Sequence, residues 1–153
     1  MGQYSKYHYD GIEVRIRPLN QRDVREGGFL PLLNQLSRVV TSPEVVIEIA
    51  SERRGLDYQT LVADIDRLRV IATASYFVEP KLQGRLVGHV EDVVVDEAYR
   101  GKGVGRAMVE RCILELTNRG CRKVILNCSD ENVAFYKKLG FAHTSNQMRL
   151  DLD

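Results

Sequence analysis

The sequence predicts an α/β domain, a mixed and mostly antiparallel sheet of six or seven strands with helices on both faces. Residues 11–18 alternate apolar and charged side chains, as a half-buried strand does. Residues 58–65 and 68–79 are rich in Val, Ile, Ala, Tyr and Phe, and a turn between them predicts a hairpin. A strand at 87–96 and a strand at 121–128 are joined by a loop and one helix, so these two strands should be parallel.

Helices are predicted in most of the remaining segments. Residues 20–39 have apolar side chains at helical spacing, interrupted by two glycines and a proline, which predicts two short helices or one helix with an irregular first half. The next helix starts with a hydroxyl cap at Ser42 and with Pro43 in its first turn. A short helix is predicted at 132–139, and residues 147–152 are predicted to return as an edge strand.

Length and composition fit one globular domain, residues 1–153. Of the 153 residues, 44% are hydrophobic and 28% are charged, as in soluble globular proteins. No apolar run approaches the ~20 residues of a membrane span, and the N-terminus lacks the apolar core of a signal peptide. We therefore expect an intracellular protein, cytoplasmic by default, with the organelle left open. The net charge of +1 gives no bulk attraction to nucleic acid or membrane, so neither is expected as a partner.

The three cysteines are expected to be buried, reduced thiols. Cys112, Cys121 and Cys128 are odd in number and lack the close pairs typical of a zinc site, so no metal is expected. A catalytic cysteine is not favoured, because no histidine stands in a matching motif.

The loop from Arg100 to Arg106 predicts an anion site. It reads Arg-Gly-Lys-Gly-Val-Gly-Arg, follows an apolar strand and opens the next helix. Glycines have no Cβ, so successive N–H groups can converge on a bulky anion, and the helix start adds its unpaired donors. The basic side chains supply full charge, Arg100 with a planar fork suited to phosphate oxygens. The loop therefore predicts a diphosphate site, with a simple turn as the alternative.

The motif Arg100-x-x-Gly103-x-Gly105 after a strand resembles the acetyl-CoA loop of the GNAT superfamily of N-acetyltransferases. Segments 88–95, 120–128 and 132–141 are similar, in that order, to those of its glucosamine-6-phosphate N-acetyltransferase family. The resemblance implies acetyl transfer from acetyl-CoA to the 2-amino group of D-glucosamine 6-phosphate, by direct attack in a ternary complex, for UDP-N-acetylglucosamine synthesis. It also implies a homodimer with the substrate site near the subunit boundary.

The resemblance covers residues 81–148 well and implies an acetyl-CoA site beside a splayed pair of parallel strands. Main-chain N–H groups of a distorted strand at 92–95 would polarise the acetyl carbonyl, whose oxygen gains charge during the transfer. Lysines of the last helix would bind the adenosine phosphates, or would simply be solvated. The implied cofactor residues are Val93, Val94, Val95, Arg100, Gly101, Lys102, Gly103, Val104, Gly105, Arg106, Asn132, Phe135 and Lys138.

Three residues are expected to take part in the chemistry. The resemblance makes Tyr136 the general acid for the leaving thiolate, since a phenol with a pKa near ~10 stays protonated at neutral pH; the alternative is a core aromatic. Glu91 and Asp92 are adjacent in a strand, so their side chains should point to opposite faces and cannot form a paired carboxylate site. By resemblance both lie at the sugar site, where we expect them to orient the amine rather than to deprotonate it.

The resemblance also implies a set of substrate-binding residues: Ser37, Lys81, Glu91, Asp92, Asn127 and Arg149. Lys81 would bind the phosphate, or is an ordinary turn charge. Asn127 stands where family members carry an acid; its amide oxygen can accept a hydrogen bond from the amine but cannot take a proton. Family members often have a basic residue that reaches the substrate phosphate where this chain has Asp151, and Arg149, which would share that face, is expected to substitute for it.

Two other functions stay open at this point. One is acetyl transfer to a different amine within the GNAT superfamily, which the neutral Asn127 and the acidic Asp151 leave open. The other is a catalytically silent acyl-CoA-binding module, against which the presence of Tyr136 argues.

Overall fold

In a computed structural model of the chain, which describes residues 5–152, a six-stranded sheet forms the centre of the molecule. The strands lie side by side in chain order. The first four pairs of neighbours are antiparallel and the last pair is parallel, as predicted. The strands are β1 Ser5–Tyr9, β2 Ile12–Pro18, β3 Tyr58–Ile65, β4 Arg69–Pro80, β5 Leu86–Val95 and β6 Lys123–Ile125.

Helices cover both faces of the sheet, which confirms the predicted α/β architecture. They are α1 Gln21–Arg25, α2 Phe29–Asn34, α3 Pro43–Gly55, α4 Val104–Asn118 and α5 Val133–Lys138. Alternate residues of β3 mark the two faces, because Leu61 and Ala63 pack in the core under α4 whereas Val62 packs under α1, α2 and α3. Met108 and Leu116 of α4 are fully buried, and burial of each such side chain stabilises the fold by roughly 1.5–3 kcal/mol.

Side-chain caps start two of the helices on one face, including the predicted cap at Ser42. The Asn20 side chain accepts a hydrogen bond from the N–H of Asp23, whose carboxylate accepts one from the N–H of Asn20, a reciprocal capping box at α1. The Ser42 hydroxyl accepts from the N–H of Val45 at the start of α3. Gly28, in the left-handed conformation, precedes α2. Residues 20–39 therefore contain two short helices, the first of the two predicted alternatives.

A buried ionic network connects α1 to the sheet. Asp64 of β3 is fully buried and accepts hydrogen bonds from Arg15 at 2.9 Å and from Arg17 at 2.6 Å, both on β2. Arg17 also donates twice to the Asp23 carboxylate, at 2.7 Å each. The network joins β2, β3 and α1, and so fixes the start of the helices that cover this face.

β5 and β6 diverge beyond a short paired region. They pair from Val87 with Lys123 to His89 with Ile125. β5 then continues to Val95, whereas residues 126–128 leave the sheet, so β6 is shorter than the predicted strand at 121–128. The opening between the second half of β5 and residues 126–128, here called the wedge, confirms the splayed parallel pair.

The two ends of the chain differ from the prediction. β1 is an additional strand, joined to β2 by a turn in which Asp10 and Gly11 have φ of 46° and 78°. The predicted edge strand at 147–152 is wrong, because residues 141–152 have no regular structure. Its apolar side chains alternate, but a strand also needs a neighbour to pair with, and none of the described strands pairs with this segment.

Candidate active site

The glycine-rich loop is separated from β5 by one turn of 3₁₀ helix at Glu97–Tyr99, and it opens α4. Gly101 and Gly103 have φ of 75° and 81°, a left-handed conformation that glycine adopts without steric cost. Gly103 is the N-cap of α4, so the unpaired first-turn N–H groups of a 15-residue helix begin here. Arg100 Nε donates to the Val95 carbonyl at 2.9 Å, and the Lys102 ammonium lies 5.3 Å from the Tyr9 ring centre. The loop therefore has the backbone geometry of an anion site.

Gly105 has a different role, since its neighbours leave little room for a side chain. A Cβ at Gly105 would lie 3.2 Å from Cγ2 of Val95 and 3.4 Å from Cζ of Phe135. Val95 ends β5 and Phe135 belongs to α5. The missing Cβ lets α4 pack closely against both elements, so three of the predicted cofactor residues meet at one point.

Among the other predicted cofactor residues, two valines have buried side chains and three polar residues have exposed ones. Val94 and Val104 are 5% and 1% exposed and pack in the two cores, so only their main chains can face a ligand. Arg106, Asn132 and Lys138 are exposed at the starts of α4 and α5 and at the end of α5. The buried residues hold the loop in place, and the exposed ones leave charge and hydrogen-bonding groups accessible around it.

Tyr136 lies beside the wedge, in the second half of α5. Its side chain is 9% exposed, and its ring makes edge contacts with Phe135 and Phe141, with centres 4.9 and 5.8 Å apart. Burial raises the pKa of Tyr136 to about 12, so the phenol stays protonated at neutral pH and can donate a proton. It lines a groove of about 720 Å³, here called the Tyr136 groove, together with Asn127 and Cys128.

A β-bulge changes the expected arrangement of the two acids on β5. Glu91 pairs with Ser75 and Val94 pairs with Thr73, so Asp92 and Val93 together face Ala74 alone. Asp92 has a φ of 52°, in the left-handed region. It lines a cavity that Ser75, the partner of Glu91, also lines. The prediction that the two acids point to opposite faces is therefore wrong, because strict alternation holds only in a regular strand.

A positively charged side chain that sequence reasoning missed, Arg53, lines the cavity at the bulge. This space, here called the Asp92 cavity, measures about 220 Å³ and lies between the sheet and the helices α2 and α3. Arg53 of α3 donates from Nη1 to Asp92 Oδ2 at 2.9 Å, and its guanidinium lies 4.2 Å from the centre of the Tyr58 ring. The available signal was weak, since Arg53 and Arg54 look like ordinary basic residues in a last helical turn.

The surroundings of Glu91 favour its protonated form. Burial raises the pKa of Glu91, and the negative charge of Asp92 raises it further. The nearby charges of His89 and Arg53 act in the opposite direction and are smaller causes. Glu91 is therefore a better proton acceptor near neutral pH than an exposed glutamate.

Lys81 is tied to the sheet through a second missed residue, Glu79. The Glu79 carboxylate accepts a hydrogen bond from the Lys81 ammonium and contacts His89 Nε2 at 2.7 Å. The His89 ring stacks on Phe77, with centres 4.4 Å apart. His89 and Glu91 are two residues apart on β5, so the cation of Lys81 approaches the face that carries the acids.

The profile of the acetyltransferase (GNAT) family matches residues 33–141. The chain belongs to the GNAT family. The match includes the glycine-rich loop, the wedge and Tyr136, and GNAT acetyltransferases use acetyl-CoA as co-substrate. The two left-handed glycines and the helix start fit its diphosphate, and the gap between β5 and residues 126–128 fits an extended arm between two strands.

Relatives within the GNAT family match almost the whole chain. It is 45% identical over 150 residues to glucosamine 6-phosphate N-acetyltransferase 1 of Oryza sativa subsp. japonica, covering 92% of this chain and 88% of that protein. It is 38% identical over 147 residues to glucosamine 6-phosphate N-acetyltransferase of Trypanosoma brucei brucei, covering 94% and 99%. The crystal structure of glucosamine-6-phosphate N-acetyltransferase from Arabidopsis thaliana has a TM-score of 0.82 at 35% identity, covering 92% and 99%.

A single GNAT chain brings only part of the predicted substrate set together. Ser37 and Asp92 line the Asp92 cavity, whereas Asn127 lines the Tyr136 groove. Arg149 lines neither space and donates from Nε to the Asp151 carboxylate at 2.7 Å, within the C-terminal segment. In the single chain, Arg149 therefore lies apart from both spaces.

Two further observations concern residues 5–152. No helix among them is long and apolar enough to cross a membrane. The same residues include no group of three or more His, Cys, Asp or Glu side chains that could hold a metal ion.

Proposed function

We propose that this GNAT protein transfers the acetyl group of acetyl-CoA to the 2-amino group of D-glucosamine 6-phosphate, which supplies UDP-N-acetylglucosamine synthesis. The observation that carries the substrate assignment is the 45% identity to the rice enzyme across 92% of the chain. The geometry alone fits many small amines, since the loop and the wedge concern only the acyl donor. The acidic bulge and Lys81, which together suit an amine and a phosphate, support the amino-sugar phosphate.

The loop and the bulge are assigned to different parts of the acyl donor, the loop to the diphosphate and the bulge to the acetyl group. Main-chain N–H groups at Gly101 and Gly103, with Arg100 and Lys102, hold the diphosphate. Main-chain N–H groups of residues 93–95 stabilise the charge that grows on the acetyl oxygen as the amine attacks. Because both reactants are held in one site, the bimolecular reaction becomes effectively unimolecular. This positioning accounts for a large part of the rate enhancement over the reaction in solution.

Proton transfers are assigned to Tyr136 and Glu91. Tyr136, protonated at neutral pH, gives its proton to the departing thiolate. Glu91, whose pKa is raised, is assigned to accept a hydrogen bond from the amine and to take its proton. A glucosamine amine has a lower pKa than lysine, so much of it is neutral at pH 7 and orientation matters more than basicity. Asp92 and Asn127 orient the sugar and amine without taking a proton.

The substrate phosphate is assigned to Lys81, with Ser37 as a neutral donor to the sugar. Glu79 holds Lys81 but also offsets its charge, so a second cation is needed for a dianionic phosphate. Arg149 is the candidate if it comes from a second subunit.

We further propose that the protein is a homodimer in which residues 141–152 of each copy pack on the other. Met148, Leu150 and Leu152 are 91%, 83% and 85% exposed in the single chain. They alternate as strand residues do, and a second copy would supply the neighbour that they need. This arrangement supports a substrate site near the subunit boundary, because Arg149 belongs to the same segment.

We place the reaction inside the cell. Cys112, Cys121 and Cys128 are free thiols, a state that a reducing compartment maintains. Tagged full-length protein localised by microscopy would test this assignment; a secreted product would overturn it.

Thiol release assayed over a panel of amines tests the proposed function. We expect rapid release with D-glucosamine 6-phosphate and slow release with a peptide amine or with no amine. Preference for another amine would favour a different GNAT reaction, which the neutral Asn127 keeps as the second candidate. Binding of acetyl-CoA without release on any amine would identify a silent binding module.

A further inference from the structure

We infer that Arg53 is a positioning residue for the acetyl transfer. It holds Asp92 in the left-handed bulge, and so fixes the main chain that polarises the acetyl carbonyl. The inference rests on the proposed function, because it concerns the same site.

The bulge places Asp92 in a conformation that L-residues adopt reluctantly. With φ at 52°, its Cβ is crowded by the main chain, although aspartate tolerates this region better than most residues. The surrounding structure must therefore hold the residue there. The contact that does so comes from α3, where Arg53 Nη1 donates to Asp92 Oδ2 at 2.9 Å across 39 residues of sequence.

Arg53 is itself fixed by the sheet. Its guanidinium lies 4.2 Å from the Tyr58 ring centre, and the Tyr58 ring packs on Phe77 with centres 4.8 Å apart. Tyr58 and Phe77 are register partners on β3 and β4. A planar guanidinium can stack on a ring and donate to a carboxylate at the same time, which an ammonium cannot do as well. Arg53 therefore fixes Asp92 relative to β3 and β4, and not only to a helix.

The bulge determines where the following main chain points. If Asp92 relaxed to an ordinary strand conformation, the residues after it would shift by one position relative to β4. Their side chains and main-chain N–H groups would then point in the opposite directions. The N–H groups of residues 93–95 would then point away from the acetyl oxygen. The glycine-rich loop, held by its own glycines, would be unaffected. Loss of Arg53 should therefore lower kcat and leave acetyl-CoA binding unchanged.

The first test compares three variants for thiol release with D-glucosamine 6-phosphate. We expect Arg53→Met to lower kcat about tenfold or more, equivalent to about 1.4 kcal/mol, with the KM for acetyl-CoA within about twofold. Arg53→Lys should recover part of the loss. Arg25→Met is the matched control, because Arg25 makes an exposed ion pair with Glu44 of α3 away from the bulge, and it should keep the wild-type kcat. An unchanged kcat in Arg53→Met would overturn the inference.

A double-mutant cycle separates positioning from substrate binding. If Arg53 acts through Asp92, adding Arg53→Met to Asp92→Asn should lower kcat little beyond Asp92→Asn alone. The inference would be overturned if the two substitutions lowered kcat by independent factors that multiply in the double variant. It would also be overturned if Arg53→Met raised the KM for the sugar phosphate at constant kcat. If wild-type protein releases no thiol with this sugar, the proposed function fails separately. In that case the Tm values of the same single and double variants decide the inference about Arg53. A double variant whose Tm falls by less than the sum of the two single losses supports it, and additive losses overturn it.

Discussion

The Phe135 ring and Gly105 approach so closely that a Cβ on the glycine would be 3.4 Å from Cζ of the ring. The contact joins the first turn of α4, which follows the anion loop, to α5, which carries Tyr136. The glycine-rich loop, the proposed diphosphate site, and the helix that carries Tyr136, the proposed general acid, are therefore packed as one unit. In our proposal, the distance between the two ends of the acyl donor's site depends on this contact.

Gly105→Val should weaken acetyl-CoA binding, because its side chain would press on both Val95 and Phe135. Overpacking of this kind costs about 1–3 kcal/mol, and we expect the KM for acetyl-CoA to rise roughly tenfold. Gly55→Ala is the control, since a Cβ there meets nothing within 4 Å and should leave the KM unchanged. Steady-state thiol release gives both values, and an unaltered KM in Gly105→Val would show that this packing does not shape the site.

Tyr136→Phe should lower kcat about 100-fold and leave the KM for acetyl-CoA nearly unchanged, since it removes only the hydroxyl that we propose as the proton donor to the thiolate. Burial raises the pKa of Tyr136 to about 12, so the wild-type profile should show no alkaline loss from this group until the pH approaches that value. Turnover measured across pH checks both statements. Wild-type kcat in the Phe variant would remove Tyr136 from the chemistry.

Local sequence was enough to predict the backbone geometry of the glycine-rich loop but not the bulge. Gly101 and Gly103 have left-handed φ values that glycine allows at no cost, so the motif itself carries the geometry. Asp92 is also in the left-handed region, but only because Asp92 and Val93 of β5 together face a single residue of β4, Ala74. That mismatch depends on how two distant strands pair, which periodicity within one strand does not reveal.

The missed residues differ in how they could have been found. β1 had a usable signal, because the Asp10-Gly11 pair between alternating segments is typical of a hairpin turn. Arg53 had only a weak signal, since its partners Asp92 and Tyr58 are brought near by tertiary packing. Sequence reasoning therefore recovers sites carried by one local motif better than sites assembled from separate elements.

Glu91→Gln should lower kcat/KM for the sugar about tenfold and raise the Tm at pH 7. Burial and Asp92 raise the pKa of Glu91, so the folded protein holds this proton more tightly than the unfolded chain. Stability from this group is therefore lost as pH rises from the ordinary glutamate pKa to the raised one. The Gln variant escapes that loss, so its gain in Tm should be larger at pH 7 than at pH 4. An equal gain at both pH values would contradict the assigned shift.

Asp64→Ala should destabilise the protein strongly, because it leaves Arg15 and Arg17 without their shared buried carboxylate. Breaking a buried pair by removing one partner costs about 3–5 kcal/mol, and the Tm should fall by roughly 10 °C. Glu13→Ala on the same strand removes an exposed pair with Lys6 and should cost less than about 1 kcal/mol. Thermal unfolding of the two variants gives the comparison, and equal losses would mean that the network adds no special stability.

Leu150→Asp should convert the proposed homodimer largely to monomer. The predicted strand at 147–152 has the alternation of an edge strand, yet in one chain it lies unpaired with Leu150 83% exposed. If a second copy covers this leucine, a buried charge in its place should weaken association about 100-fold, or roughly 2.7 kcal/mol. Sedimentation equilibrium measures the change, and Leu68→Asp, in the exposed turn between β3 and β4, should leave the mass unchanged. Turnover should fall with the dimer fraction, because Arg149 on the same segment would no longer reach a second subunit. A dimer that persists in Leu150→Asp would place the interface elsewhere on the molecule.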